Sequence, residues 1–318
     1  MVSKPGWCMK LKTKNKGGIM KHFFEAVYVL CKVSRPIGWI VLPLVFIMGF
    51  YERVEHPLFT HLLSHPEYGF LPFVQLLLFS FPASLIGYGI NDMYDRGTDL
   101  LNDRKTYKYL DGVPLSLAHF RLIKVGVYVS ATFMVLSGFS TGNMANSCVM
   151  AGVVACAFLY SAPPVRLKGR APFDSIINCV LYGYGPFTVG YTYSGESVFS
   201  MSFRYYLFFL TLGAIHAFFT VIDVSADKAA GINTFAVKYG QKNTIRCAIV
   251  IVALTLLFGR FEMVGTNVFL CITLLCMICS LFIPLGLLEI KAKKCCYGIF
   301  CGFLLSVILL LGERLVIV

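Results

Sequence analysis

Five aspartates fall into two groups whose spacing suits shared work. Asn91-Asp92-x-x-Asp95-x-x-x-Asp99 sets its acids three and four residues apart. On a continuing helix they line one face within about two turns, and Asn91 shares that face with Asp95. Asp223-x-x-x-Asp227 repeats the four-residue step. One such carboxylate is ordinary at a helix end, but clustered carboxylates repel one another unless a cation lies between them. All-oxygen donors suit a hard ion such as Mg²⁺, which takes a few carboxylates together with phosphate oxygens. Cations follow closely: Arg96, Arg104, Lys105 and Lys108 after the first motif, and Lys228 and Lys238 after the second. The stretch from Tyr160 to Arg170 adds Arg166, Lys168 and Arg170 and contains no acid. Arg and Lys hold phosphate through charge-assisted hydrogen bonds, Arg in a bidentate fork. Together these residues describe a site for Mg²⁺ and a diphosphate.

The elements that must position them are membrane helices. Of 318 residues, 57% are hydrophobic and 14% charged, and the mean hydropathy is +0.73. Apolar runs of about 20 residues, enough to cross a bilayer as a helix, recur along the chain. Nine spans are expected, at 24–50, 71–91, 119–139, 143–162, 173–194, 203–222, 244–260, 266–289 and 297–317, the seventh being the weakest. They form one transmembrane domain over 23–318, preceded by a basic segment over 1–22. The net charge of +12 does not point to nucleic acid, because the basic residues sort by membrane side. All 28 Lys and Arg except Arg53, Arg204, Arg260 and Arg314 fall on the side of the N-terminus. The positive-inside rule therefore places the N-terminus and both Asp motifs in the cytoplasm. The membrane would be the endoplasmic reticulum in a eukaryote and the plasma membrane in a bacterium. The first 22 residues lack an apolar run, so helix 1 is read as an uncleaved anchor, with a transit peptide as the alternative.

Other chemistry-bearing residues are read as structural. The twelve cysteines suit apolar filling better than a disulfide scaffold, Cys276-x-x-Cys279 included. Cys295-Cys296, after Lys293-Lys294 at a membrane edge, is read either as filler or as a palmitoylation site. His56, His61 and His65 are expected to be solvated.

Ionisable residues at membrane depth are costly and mark function. They are read as falling in two places, where helices 2 and 6 leave the membrane. Four helices separate the motifs, a weak internal repeat with helices 1–4 and 5–8 as related units and helix 9 closing the bundle. The motifs would face each other over a central, laterally open cavity, with the 2–3 and 6–7 loops long enough to cover it. Carboxylates, Mg²⁺ and cations above an apolar cavity suit a diphosphate head on a hydrocarbon tail, as in prenyl diphosphates. Ionisation of the C–O bond would leave an allylic cation away from water. Tyr160, Tyr182, Tyr184, Phe187, Phe218 and Phe219 are candidates to face it, although core packing suits each as well. An ion carrier fits poorly, since all five acids lie at one membrane face.

The chain resembles the UbiA superfamily of intramembrane prenyltransferases along nearly its whole length. The resemblance rests on Arg35-Pro36-x-x-Trp39, Asn91-Asp92-Met93-Tyr94-Asp95-Arg96-Gly97-Thr98-Asp99, Tyr160-Ser161-x-Pro163-Pro164-x-Arg166-Leu167-Lys168 and Asp223-Val224-Ser225-Ala226-Asp227-Lys228, in that order. It implies an all-α fold of nine helices around a lipid-open cavity. It also implies Asn91, Asp92, Asp95, Asp99, Asp223 and Asp227 as metal ligands. Arg96, Arg104, Lys105, Lys168, Arg170 and Lys228 would then hold the diphosphate, with Asp95, Asp223, Lys168 and Tyr160 catalytic. Asn102-Asp103-Arg104-Lys105 departs from the Arg-Pro-x-x-x-Gly segment of members that prenylate aromatic rings and is closer to the lycopene-elongase-like branch. The expected activity is Mg²⁺-dependent transfer from a farnesyl- or geranylgeranyl-class diphosphate to a lipophilic acceptor; a terpene cyclase acting without an acceptor is the alternative.

Overall fold

A computed structural model describes residues 16–36, 38–52, 69–99 and 117–316, without the side chains of 16–22, 96–99, 117–118, 311 and 313–316. Arg104, Lys105, Lys108 and the three loop histidines lie outside the described residues. In chain order the helices are α1 (Lys16–Val33), α2 (Gly38–Tyr51), α3 (Leu71–Leu78), α4 (Phe81–Asp99), α5 (Leu117–Ser140), α6 (Met144–Ser161) and α7 (Phe173–Asn178). They continue with α8 (Gly185–Tyr191), α9 (Phe203–Thr220), α10 (Val224–Ala229), α11 (Phe235–Tyr239), α12 (Gln241–Gly259), α13 (Val264–Leu281) and α14 (Leu285–Val316). Among the described residues there is no strand, and one isolated bridge joins Arg170 to Asn233.

Local sequence explains the breaks. Pro36 stops α1, and Arg35 takes a left-handed conformation at φ 49°. The chain restarts as α2 at a bend of 57°. Asn143 caps α6 by accepting from the amides of Ala145 and Asn146 at 2.9 and 3.2 Å. Pro284 separates α13 from α14, and the Lys242 ammonium reaches the carbonyls of Ser280, Leu281 and Ile283 at the end of α13.

Among the described residues seven helices are long and apolar enough to cross a membrane: 71–95, 119–140, 144–161, 203–229, 241–259, 264–281 and 285–310. The bent α1–α2 pair makes an eighth. The expected fifth span, 173–194, is helical but broken, with a π-turn at Cys179–Tyr184 between α7 and α8 and a 3₁₀ turn at Thr192–Ser194. Gly183, Gly185 and Pro186 account for the break, since Pro lacks the amide that a regular helix needs. At the C-terminal end, the connection expected to hold Lys291, Lys293 and Lys294 is instead the opening of α14, and the turn falls at 282–284. Cys295 and Cys296, read as lying at a membrane edge, are half-buried on that helix.

Two cores divide the bundle. One gathers Val33, Phe46, Phe79, Ile90, Ile123, Met134 and Met150 from the N-terminal helices. The other gathers Phe187, Tyr205, Phe218, Ile245, Leu270 and Phe303 from the C-terminal ones. They meet where α2 crosses α8. A Cβ on Gly49 would lie 1.9 Å from the Phe187 carbonyl oxygen, and one on Gly190 would lie 2.1 Å from that of Phe46. Only glycine lets the two backbones approach this closely. Outward faces carry Phe133, Leu257 and Phe282, as a lipid-facing surface should.

Candidate functional site

Asn91 and Asp95 sit one turn apart on α4 and share a partner. Lys168 Nζ donates to Asn91 Oδ1 at 3.0 Å and pairs with Asp95 Oδ2. Arg166 Nη2 binds the other Asp95 oxygen at 2.9 Å, and Ser161 Oγ lies 3.4 Å from Asn91 Oδ1. Lys168 is 5% exposed and Asp95 7%, so this charge pair is largely withdrawn from solvent. It is held by the tight segment after α6, where Arg166 is left-handed at φ 42° and Leu167–Gly169 form a 3₁₀ turn.

Asp92 faces elsewhere. It is fully buried, and its Oδ1 takes Arg35 Nη2 at 3.4 Å. The Arg35 guanidinium in turn lies 4.3 Å from the Tyr88 ring centroid, a cation–π stack. The Tyr182 hydroxyl donates to that of Tyr88 at 2.9 Å. Both rings line a small, partly open apolar pocket, together with Leu42, Ala83, Gly87, Met134, Val154 and Leu181 among others.

The second motif begins in the 3₁₀ turn Val221–Asp223 and continues into α10, with Asp223 and Asp227 half-buried. The segment after it, expected as a covering loop, folds into α10 and α11. Thr234 Oγ1 donates to Asp227 Oδ2 at 3.0 Å. The strand-like contact of Ala171 N with Asn233 O at 3.1 Å and the bond from Lys238 Nζ to Ala171 O at 3.0 Å tie this segment to the Lys168 turn. The Tyr160 hydroxyl is close enough to interact electrostatically with Asp174, Asp95 and Asp227, so both motifs reach one neighbourhood.

The expected residues are thus distributed unevenly. Asn91, Asp95, Lys168 and Tyr160 come together, with Asp227 near them. Asp92 is turned toward Arg35. Arg170 is exposed and donates to the Pro164 carbonyl at 3.0 Å, and Lys228 is exposed on α10. The side chains of Asp99 and Arg96 lie outside the described residues, as do Arg104 and Lys105. Among the described residues no group of three or more His, Cys, Asp or Glu is close enough to hold a metal. The donors that do converge are carboxylate and carboxamide oxygens, the chemistry that Mg²⁺ takes. Of the proposed aromatics, Phe187 and Phe218 are fully buried in the C-terminal core.

Two residues escaped the sequence reading. Asp174, fully buried at the start of α7, accepts the Phe235 amide at 2.8 Å, and its other oxygen has no hydrogen-bond partner. His216, in the apolar run of α9, accepts or donates at 3.1 Å with the Tyr160 hydroxyl and at 3.2 Å with Ser175 Oγ. Both are ionisable residues at or within a span, the signal that located the motifs, and both refute the expectation that such residues fall in two places only.

A helical membrane bundle that carries two acidic motifs and a buried lysine paired with the first is the architecture of a multi-pass membrane enzyme. The model of the UbiA prenyltransferase family matches residues 58–308, and the chain belongs to that family. It is a prenyltransferase. The lycopene elongase/hydratase of Corynebacterium glutamicum is 28% identical over 229 residues, covering 71% of this chain and 75% of that protein. That of Halobacterium salinarum is 30% identical over 234 residues, covering 70% and 74%. A UbiA homolog from Archaeoglobus fulgidus, solved with DMAPP and Mg²⁺, superposes with a TM-score of 0.61 at 18% identity, over 86% of this chain and 99% of that one. A digeranylgeranylglyceryl phosphate synthase superposes with a TM-score of 0.56 at 16% identity, over 89% and 98%. These two likenesses establish the fold.

Proposed function

We propose that the chain uses Mg²⁺ to ionise a prenyl diphosphate and passes the prenyl cation to a long hydrocarbon acceptor such as a carotenoid polyene. The observation that carries this reading is the Lys168 ammonium shared by Asn91 and Asp95 on α4, the helix whose Gly87 and Tyr88 line the apolar pocket. The relatives that act on lycopene support a polyene acceptor, and they lend no support to the cyclase alternative.

Asn91, Asp95, Asp99, Asp223 and Asp227 would hold the metal, with Asp92 contributing through the same helix. Bound Mg²⁺ would neutralise charge on the departing pyrophosphate. Lys168 and Arg166 supply hydrogen-bond donors beside Asp95, suited to phosphate oxygens. Arg96, Arg104, Lys105, Arg170 and Lys228 would add positive charge to hold the diphosphate. The pocket keeps water from the allylic cation, and the faces of Tyr88 and Tyr182 favour positive charge near its entrance. In this reading nine spans cross the membrane, counting 173–194 as the fifth, the N-terminus and both motifs are cytoplasmic, and 23–318 is one domain.

The test uses purified protein in lipid nanodiscs with Mg²⁺, lycopene, and dimethylallyl, farnesyl or geranylgeranyl diphosphate in separate reactions. Pyrophosphate release together with an enlarged carotenoid in the mass spectrum is expected from at least one donor. Absence of pyrophosphate with every donor would overturn the reading, and a cyclic hydrocarbon formed without lycopene would replace it with the cyclase.

A further inference from the structure

A cation captured by an acceptor double bond is still a cation, and the last step must release a proton. The groups at the diphosphate end are charged and already committed: Asp95 to Arg166 and Lys168, Asp92 to Arg35. His216 has no part in binding the diphosphate, yet it lies in the interior of α9 with both ring nitrogens engaged. Its Nε2 is 3.1 Å from the Tyr160 hydroxyl and its Nδ1 is 3.2 Å from Ser175 Oγ. Tyr160 is the end of this chain nearest the two motifs, lying within electrostatic reach of Asp95 and Asp227. At the other end, buried Asp174 precedes Ser175 and keeps one carboxylate oxygen without a hydrogen-bond partner.

We propose that Tyr160 and His216 form the proton acceptor that ends the reaction, with Ser175 and Asp174 behind them. This rests on the prenyl-transfer reading above. One tautomer satisfies the whole chain: Nδ1–H donates to Ser175 Oγ, which leaves Nε2 to accept from Tyr160. In the step itself, the C–H bond beside the cationic carbon breaks and its electron pair becomes the new double bond. The proton passes to the Tyr160 oxygen as the Tyr160 hydroxyl proton moves to His216 Nε2. The imidazole becomes an imidazolium, held in place by Ser175 Oγ at Nδ1. It returns to neutral by giving the proton to the released pyrophosphate.

His216→Gln tests the assignment, since glutamine can accept from Tyr160 and donate to Ser175 but cannot take up the proton. Reactions with dimethylallyl, farnesyl or geranylgeranyl diphosphate and lycopene are scored as alkene product per pyrophosphate released. That ratio is expected to fall by about 10²-fold, a typical general-base contribution, with hydroxylated carotenoid, in which water has captured the cation, making up the difference. Tyr160→Phe should produce the same shift. A wild-type ratio in either variant, or equal loss of pyrophosphate and product without hydroxylated material, would overturn the proposal. Wild-type protein that releases no pyrophosphate would instead overturn the prenyl-transfer reading beneath it.

Discussion

Lys168 reaches across 77 residues of sequence to donate to Asn91 at 3.0 Å. The same ammonium pairs with Asp95, so a turn after α6 is fastened to the face of α4 at two points. The contact is almost fully buried, where charge–charge attraction is weakly screened. It joins the basic segment after α6 to the acidic motif on α4.

Asp95→Asn keeps the size of the side chain and removes the charge that Arg166 and Lys168 share. Pyrophosphate release should fall by about 10²–10³-fold, the usual cost of losing an electrostatic element of this kind. Steady-state release assays on Asp95→Asn and Asp223→Asn check it, and rates within twofold of wild type in both would sink the assignment.

Chelation with EDTA should abolish turnover, and added Mg²⁺ should restore it. The converging donors are oxygens, so Zn²⁺ should restore it poorly. Full activity in EDTA would show that the carboxylates serve the cations alone.

Gly87 lines the apolar pocket, and a Cβ built on it meets nothing within 4 Å. Gly87→Leu should therefore fold and fill part of the space. Turnover of geranylgeranyl diphosphate should drop about tenfold relative to dimethylallyl diphosphate, in line with a few methylenes of lost room. Competition between the two donors measures this; an unchanged ratio would place the tail elsewhere.

Gly49→Val pushes a side chain into the Phe187 carbonyl. A loss of about 1–3 kcal/mol is expected for such overpacking, read as a lower Tm in detergent. An unaltered Tm would mean that α2 and α8 do not meet as described.

Much of the molecule was legible in the sequence because bilayer physics writes plainly. Most of the spans and the two acidic motifs follow from hydropathy and from the cost of charge at depth, whereas the breaks beside Pro36 and Pro284 fall inside stretches read as single spans, 24–50 and 266–289. The broken 173–194 segment was not legible, since its composition is as apolar as a regular span and only Gly185-Pro186 hints at the π-turn. The lysines of α14 misled, because Lys291, Lys293 and Lys294 resemble a loop while helical backbone tolerates them at a membrane edge. The direction of Arg170 could not be read from spacing: two residues beyond Lys168, the turn aims it outward to the Pro164 carbonyl. Asp174 and His216 were detectable by the same depth argument that found the motifs. His216 stands alone among phenylalanines, and its partners come from α6 and α7, which no local pattern links to it.

The crossing of α2 and α8 has a bearing on how this enzyme could change its substrate. Main chain touches main chain there, and no rotamer can be traded to widen or narrow the gap. The distance between the halves that carry the two acidic motifs behaves like a fixed gauge, inherited unchanged by any variant that still folds. Adaptation to longer or shorter chains is thereby channelled to the pocket walls on α4, α5 and α6, where single side chains can be swapped while the ionising end keeps its dimensions.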